Sequence, residues 1–294
     1  MSRPLSSALA LLTAALLYSS FGVLTRIIGF DLPIFFASFT RNLIGTAILL
    51  LPLFIFKRFK PVNKADWLWL TLRTGGGILG FLGSYYAFYY LPIGTAYFIF
   101  YGGSTIMGFL LGRLFFAEKI ELLEGLALSL SIGGLMMIYS LGSIDWQLIN
   151  YVFLALLGGV GTAVWNVFSK KVSGNYSATQ LNGLDFALFT ILTLVVSLLK
   201  QEQWLRPEFN TTWLANLLFA LIFVCTGQLV IHGFKYLDSQ KGSLIMLLEI
   251  VFGVIVGLLA YQEALGLGAI AGGTLILVGA ALPNLPVLRK QKFS

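Results

Sequence analysis

Tyr90-Leu91-Pro92-Ile93-Gly94-Thr95 opens an apolar run that carries Gly108 and Gly112 and closes on Phe116-Ala117-Glu118. Tyr236-Leu237-Asp238-Ser239 opens a second run that carries Gly253 and Gly257 and closes on Tyr261-Gln262-Glu263. The glycines stand four apart in both runs and the glutamate follows six later, so the spacing agrees although most side chains between do not. One residue is missing between the Tyr-Leu pair and the glycines of the second run. A chain with 32 glycines makes chance pairs common, so a true repeat must show other landmarks at its offset of about 145 residues. Trp67 answers to Trp213, Arg26 to Lys171 and Gly134 to Gly279, which spreads the correspondence over nearly the whole chain. Two units follow, residues 1–145 and residues 146–294, with a seam near Gly142 to Gln147.

The solvent of these units is set by composition. The chain is 58% hydrophobic and 11% charged with a mean hydropathy of +0.89, far from soluble domains, in which roughly a quarter of residues carry charge. Apolar runs of about 20 residues, enough to cross about 30 Å of hydrocarbon as helix, fill the sequence. The alternating segments of about 10 residues that a barrel needs are absent. The first run, Ala8 to Leu24 behind Arg3, has the outline of a secretory signal, but the further runs make it a resident first helix. The single Cys225 allows no internal disulfide, and no metal-ligand spacing occurs, so no metal or other cofactor is expected. The net charge of +7 lies in short scattered loops; membrane orientation explains it better than nucleic acid does.

The pattern predicts an all-α integral membrane protein with about ten transmembrane helices, at 7–28, 33–56, 66–90, 93–116, 122–141, 148–170, 178–199, 211–235, 241–261 and 264–285. Alternate loop ends sort the cations. Arg3, Lys57, Arg58, Lys60, Lys64, Arg113, Lys119, Lys170, Lys171, Lys235, Lys241, Arg289, Lys290 and Lys292 fall on one side, and only Arg26, Lys200 and Arg206 on the other. Short loops rich in Lys and Arg stay cytoplasmic, which places both termini inside, in a plasma membrane or bacterial inner membrane. Five spans per unit is an odd number, so the second unit enters from the opposite face and the repeats are inverted. The uncharged turn Pro92-Ile93-Gly94-Thr95 against its counterpart with Lys235, Asp238 and Lys241 fits that inversion.

Ionisable groups within a span cost several kcal/mol and face a bundle interior or wet cavity. Five are candidates: Arg41, Arg73, Asp185, His232 and Glu249. Glu249 stands about two turns into the ninth span and is the strongest, as a proton or substrate group or as a buried carboxylate paired across helices. Arg41 either ties to carbonyls or Asp185, or meets an anionic substrate. Arg73 and Asp185 are near enough to helix ends to snorkel. His232 sits near the cytoplasmic end of its helix, where an ordinary hydrogen bond suffices. Glu118 and Glu263 are expected to favour the N-terminus of the helix that follows each, and the Gly108/Gly112 and Gly253/Gly257 pairs to let helices approach closely.

Tyr85, Tyr89, Tyr97 and Tyr101 crowd the third and fourth spans, and their hydroxyls need partners. Trp67, Trp69, Trp146, Trp204 and Trp213 fall at span ends as interfacial anchors. Trp165, beside Asn166 inside the sixth span, offers a stacking face and an amide to a cavity, or packs in the core. Gly75, Gly76, Gly77, Gly80 and Gly83, and Gly102-Gly103, mark places where a helix can bend or admit a ligand. A cavity between spans three and four and their counterparts eight and nine is the expected site.

Inverted repeats that meet at the midplane are the architecture of alternating-access transporters. The chain resembles the drug/metabolite transporter superfamily, in its ten-helix EamA type. The resemblance rests on Arg41 in the second span, on the segments ending Phe116-Ala117-Glu118 and Tyr261-Gln262-Glu263, on Gly125 and Gly133, and on Gly272 and Gly279. It implies a basket of two inverted five-helix halves around a pathway lined by spans 1, 3, 4, 6, 8 and 9, and a secondary transporter that exports small metabolites such as amino acids. The chain departs from the family in having Ile250 after Glu249, and Gly102-Gly103-Ser104 in the fourth span, where proline is common. The alternative within the superfamily is an organophosphate or nucleotide-sugar transporter with Arg41 or Arg73 as the anion site. A membrane enzyme would need clustered acid, base or metal groups, and a non-transporting scaffold would bind a partner and move nothing. The expected partners are a small-molecule substrate and the bilayer, with protons a candidate coupling ion, in a monomer or homodimer.

Overall fold

The structure, a computed structural model, describes residues 3–29, 31–91, 93–139, 146–262 and 266–284, without the side chains at positions 85, 88, 89, 93, 146, 261 and 284. Glu263 lies outside the described residues, as do the side chains of Tyr85 and Tyr89.

Among the described residues the regular elements are helical. The first span is α1 (Arg3–Tyr18) followed by α2 (Phe21–Ile28), and the next four are α3 (Ile34–Ile55), α4 (Trp67–Tyr90), α5 (Ile93–Phe116) and α6 (Leu122–Ile138). The second half has α7 (Ile149–Val172), α8 (Ala178–Leu199) and α9 (Thr211–Tyr236), then a ninth span made of α10 (Ser239–Met246) and α11 (Leu248–Tyr261), and finally α12 (Leu267–Ala281). Seven of these spans are long and apolar enough to cross a membrane; α6 and α12 are shorter apolar helices, and α4 runs 24 residues. Ten spans in two inverted halves is the fold.

The chain's duplication is written into how its helices stop. The described residues include four non-glycine positions with positive φ: Lys57, Ala117, Gln201 and Gln262. They form two pairs at the offset of the repeat, Lys57 with Gln201 after α3 and α8, and Ala117 with Gln262 after α5 and α11. After α3 the N–H of Arg58 returns to the carbonyl of Leu53 at 2.8 Å, and after α8 the N–H of Glu202 returns to Ser197 at 3.0 Å. Both are the wrap by which a left-handed residue satisfies the last carbonyls of a helix. Helix starts are secured locally by Ser177, which accepts from Gln180 N–H, and by Asn210, which accepts from Trp213 N–H.

Packing follows the repeat. α3 lies along α8 and α6 along α12, pairs that the duplication maps onto themselves, while α4 lies along α7 as α9 lies along α1. The glycine run of α4 serves this packing: α4 is continuous through it, and a Cβ on Gly83 would come within 2.6 Å of the Gly158 Cα. With no driving force from water, helices in lipid associate through such close approach. The interruptions occur elsewhere, at Ser19–Ser20 and at Leu247. Under the repeat these map to the middles of α7 and α5, which run unbroken. The two interrupted spans pack against each other, as do the two continuous ones.

Candidate functional site

The ninth span restarts at Leu248, so Glu249 occupies the first turn of α11 rather than the interior of a long helix. The first turn of any helix presents N–H groups with no intrahelical partner and a partial positive charge, which suits a carboxylate held below the membrane surface. From α5, the Tyr101 hydroxyl donates to Glu249 Oε1 at 2.7 Å. Tyr97, one turn earlier on the same face, stacks on Tyr101 with centroids 5.6 Å apart, and Tyr139 at the end of α6 stacks on Tyr97 at 5.6 Å. Three phenol rings thus form a ladder that ends on the half-buried carboxyl. Tyr18, at the last residue of α1, packs against the same core as Tyr101. Tyr97 and Tyr101 were legible as candidates; Tyr18 and Tyr139 lie outside the crowded aromatic run and carried no signal of their own.

A second polar group is fully enclosed. Arg73 of α4 donates from Nη1 to Asp185 Oδ1 at 2.7 Å and from Nε to Ser169 Oγ at 2.8 Å. Thr74 donates to the same Asp185 oxygen at 3.1 Å, and the Trp165 indole N–H donates to Oδ2 at 2.8 Å. The side chains of Arg73 and Asp185 are 0% and 3% exposed, so neither snorkels. The glycine contacts of α4 bring α7 against it, α8 covers the crevice, and the route to the surface is closed. Trp165 also lies beneath the Arg73 guanidinium, 5.0 Å from its centre, and its ring is partly open. It therefore joins the Arg73–Asp185 pair to the core that contains Tyr101 and Tyr18.

The remaining candidates sit apart from these two groups. Arg41 bonds Ser38 Oγ at 2.9 Å and lies 4.1 Å over Phe219; Asp185, one of its expected partners, is held by Arg73. His232 is exposed, 3.4 Å from Ser6 Oγ, with its ring against Tyr236. Asn166 is buried on α7. Among the described residues no group of His, Cys, Asp and Glu has the composition to hold a metal ion.

The two ends of the basket differ. At the lysine-rich end Glu118 receives the Ser239 N–H at 2.8 Å and pairs with Lys170 at 2.6 Å, while Lys170 also reaches the Leu237 carbonyl. Glu118 thus caps α10, five spans further on, and not the helix that follows it in sequence. Gly112 lies against Glu118 and Ser239, and Gly108 against Ser243, which seals α5 onto α10. Gly253, the counterpart of Gly108, meets no atom within 4 Å among the described residues. The glycine pairs were expected to pack alike; one is packed and Gly253 is not.

Comparison with known proteins places this geometry. The EamA-like transporter family matches the chain twice, over residues 5–140 and 149–285. A solved structure described only as "Crystal structure of protein" superposes on 97% of this chain and 99% of its own with a TM-score of 0.80, at 19% sequence identity. At that identity the likeness speaks for the fold alone. No curated protein matches.

Proposed function

Because the chain belongs to the EamA-like transporter family, and so is a multi-pass transporter of the drug/metabolite type, we propose that it is a secondary transporter. It exports a small, partly apolar metabolite with an amine, of the amino-acid kind. The observation that carries the substrate reading is the Tyr101–Glu249 hydrogen bond at the foot of the tyrosine ladder. A half-buried carboxyl framed by phenol faces suits a cation, which gains from both charge and ring quadrupole. Arg73 is neutralised by Asp185, which weighs against an organophosphate held there.

The asymmetry of the two halves supports alternating access. With the lysine-rich end cytoplasmic, as the charge of its loops argues, the Glu118 latch closes the inside and the unpacked Gly253 faces the outside. The opposite state follows from exchanging the halves. The interruption leaves Leu247 and arises at Gly102-Gly103, its counterpart in α5, while the ninth span straightens and Gly253 closes onto α5. Export then proceeds by loading at the inside and release at the outside.

The test is counterflow in proteoliposomes with a panel of amines, amino acids and phosphate esters, followed by Glu249→Gln with the best solute. Transport of an amine-bearing solute, reduced at least about tenfold by removal of the charge-assisted contact, is the expected result. Uptake of phosphate esters alone, or an unimpaired Glu249→Gln, refutes the substrate reading.

A further inference from the structure

Among the described residues Arg41 is a charged group without a counter-charge. It lies seven residues into α3, roughly 10 Å along the helix at 1.5 Å per residue. It is half-buried, and among the described residues it pairs with no carboxylate. One guanidinium nitrogen is satisfied by Ser38 Oγ at 2.9 Å and one face by Phe219 at 4.1 Å. A guanidinium carries five N–H donors in a planar fork, so most of its capacity is unspent. Close by, Asn216 of α9 donates to Thr40 Oγ1 at 2.9 Å, and its Oδ1 is buried without a hydrogen bond. An unneutralised cation at this depth is costly unless a ligand supplies the missing charge.

The rings around Arg41 show which way it is connected. Phe21 of α2 stacks on Phe219 at 4.1 Å, and the guanidinium lies over the same ring at the same distance. Phe21 meets Tyr18 edge-on at 5.1 Å, and Tyr18 packs against the same core as Tyr101, the hydrogen-bond partner of Glu249. A row of aromatic side chains therefore runs from the Arg41 guanidinium toward the half-buried Glu249, past the break at Ser19–Ser20.

We propose that Arg41 is the subsite for the carboxylate of the transported molecule, at the far end of this aromatic row from Glu249. The inference rests on the transporter reading and narrows it. Phe219, Phe21 and Tyr18 stand between the two charged groups, so the molecule that engages both carries its acid and its amine at opposite ends of an apolar body. ω-Amino acids and short peptides have that form. The Arg41 fork takes the carboxylate through two parallel N–H donations, Phe219 holds the fork flat, and Ser38 fixes its rotation.

The test uses the full chain in phosphatidylcholine nanodiscs and two probes, 3-phenylpropionate as an acid and phenethylamine as an amine, with binding read by calorimetry. Arg41→Gln is expected to weaken 3-phenylpropionate at least about tenfold and to leave phenethylamine unchanged. Arg41→Lys, which keeps the charge and loses the fork, falls between, and serves alone if the glutamine variant does not fold. Arg58→Gln, at an exposed loop position, changes neither probe. Equal binding of 3-phenylpropionate by wild type and the Arg41 variants, or no binding of it by the wild type, overturns the subsite. Discs of phosphatidylglycerol test the other source of anions. If that lipid raises the melting temperature of the wild type but not of Arg41→Gln, and 3-phenylpropionate fails to bind, a lipid phosphate occupies Arg41 and the proposal falls. Phenethylamine binding that is untouched by Glu249→Gln sinks the amine reading of Glu249 and leaves the Arg41 result standing.

Discussion

Arg73 and Asp185, from the third and seventh spans, form an ion pair 2.7 Å long with essentially no exposure of either side chain. Ser169 accepts from the Arg73 Nε and Thr74 and Trp165 donate to the Asp185 carboxylate, while Arg73 Nη2 is buried without a hydrogen-bond partner among the described residues. The pair joins α4, α7 and α8 at one point, and it orients the indole of Trp165. Charges taken out of water in this way add little to stability as a pair, yet leave a large penalty when one is removed.

Asp185→Ala is accordingly expected to destabilise the protein by about 3–5 kcal/mol, whereas the joint replacement Arg73→Met with Asp185→Leu recovers most of that loss. Thermal unfolding of the detergent-solubilised protein reads both. A double variant no better than the single one would show that the pair holds the fold by more than mutual neutralisation.

Two glycines make a contrasting pair. A Cβ on Gly83 would meet the Leu154 carbonyl at 2.5 Å, so Gly83→Ala should cost about 1–3 kcal/mol through overpacking and lower the melting temperature. A Cβ at Gly253 meets no described atom within 4 Å, so Gly253→Leu should leave the melting temperature near wild type. If the halves exchange roles, Gly253 must later close onto α5, so the same variant should lose most counterflow activity. Full activity in Gly253→Leu would remove the exchange from the mechanism.

Glu118 is expected to act as a latch. Glu118→Gln keeps the shape but loses the charge that holds Lys170 and the Ser239 N–H. A loss of about 1.4 kcal/mol raises the population opened at the lysine-rich end about tenfold while that population is small. With Cys225 replaced by serine, maleimide labelling of Ser243→Cys measures this opening. Labelling that is no faster in the Glu118→Gln background would reduce the latch to a structural tie.

Gln201 pays for a left-handed conformation at the end of α8. Gln201→Gly removes the clash of its Cβ and should stabilise the protein by about 0.5–1 kcal/mol, seen as a raised melting temperature with transport unchanged. A lowered melting temperature would mean that the glutamine side chain contributes more than the strain removes.

The span boundaries, the inverted halves and the reach of the repeat were legible in the sequence because each is encoded by many residues at once. Hydrophobic length identifies a span even when several of its side chains vary, and a shared offset survives drift. The site was legible in part. Glu249, Tyr97, Tyr101 and Trp165 stand out as polar or aromatic groups inside apolar runs. Tyr139 and Tyr18 sit at helix ends, where tyrosine is ordinary, and only the packing of α6 and α1 brings them to the core of Tyr101. The glycines of α4 and α5 were expected to mark places where a helix bends or admits a ligand, whereas Gly76, Gly77, Gly80 and Gly83 of α4 close its contact with α7 and the observed breaks lie at a serine pair and a leucine. Glycine signals close approach and flexibility alike, and sequence spacing does not distinguish the two.

By itself the sequence determined that this chain is a membrane protein of two inverted five-helix units, since hydrophobic thickness and loop charge act on each segment independently of its neighbours. Which charge meets which was decided only by the tertiary structure. Arg73 found Asp185 across more than a hundred residues, Arg41 found no carboxylate among the described residues, and Glu118 capped a helix five spans away. Electrostatic partnership depends on distances of a few ångströms between helices, and those distances are set by how α4, α7 and α8 pack, which no single segment specifies.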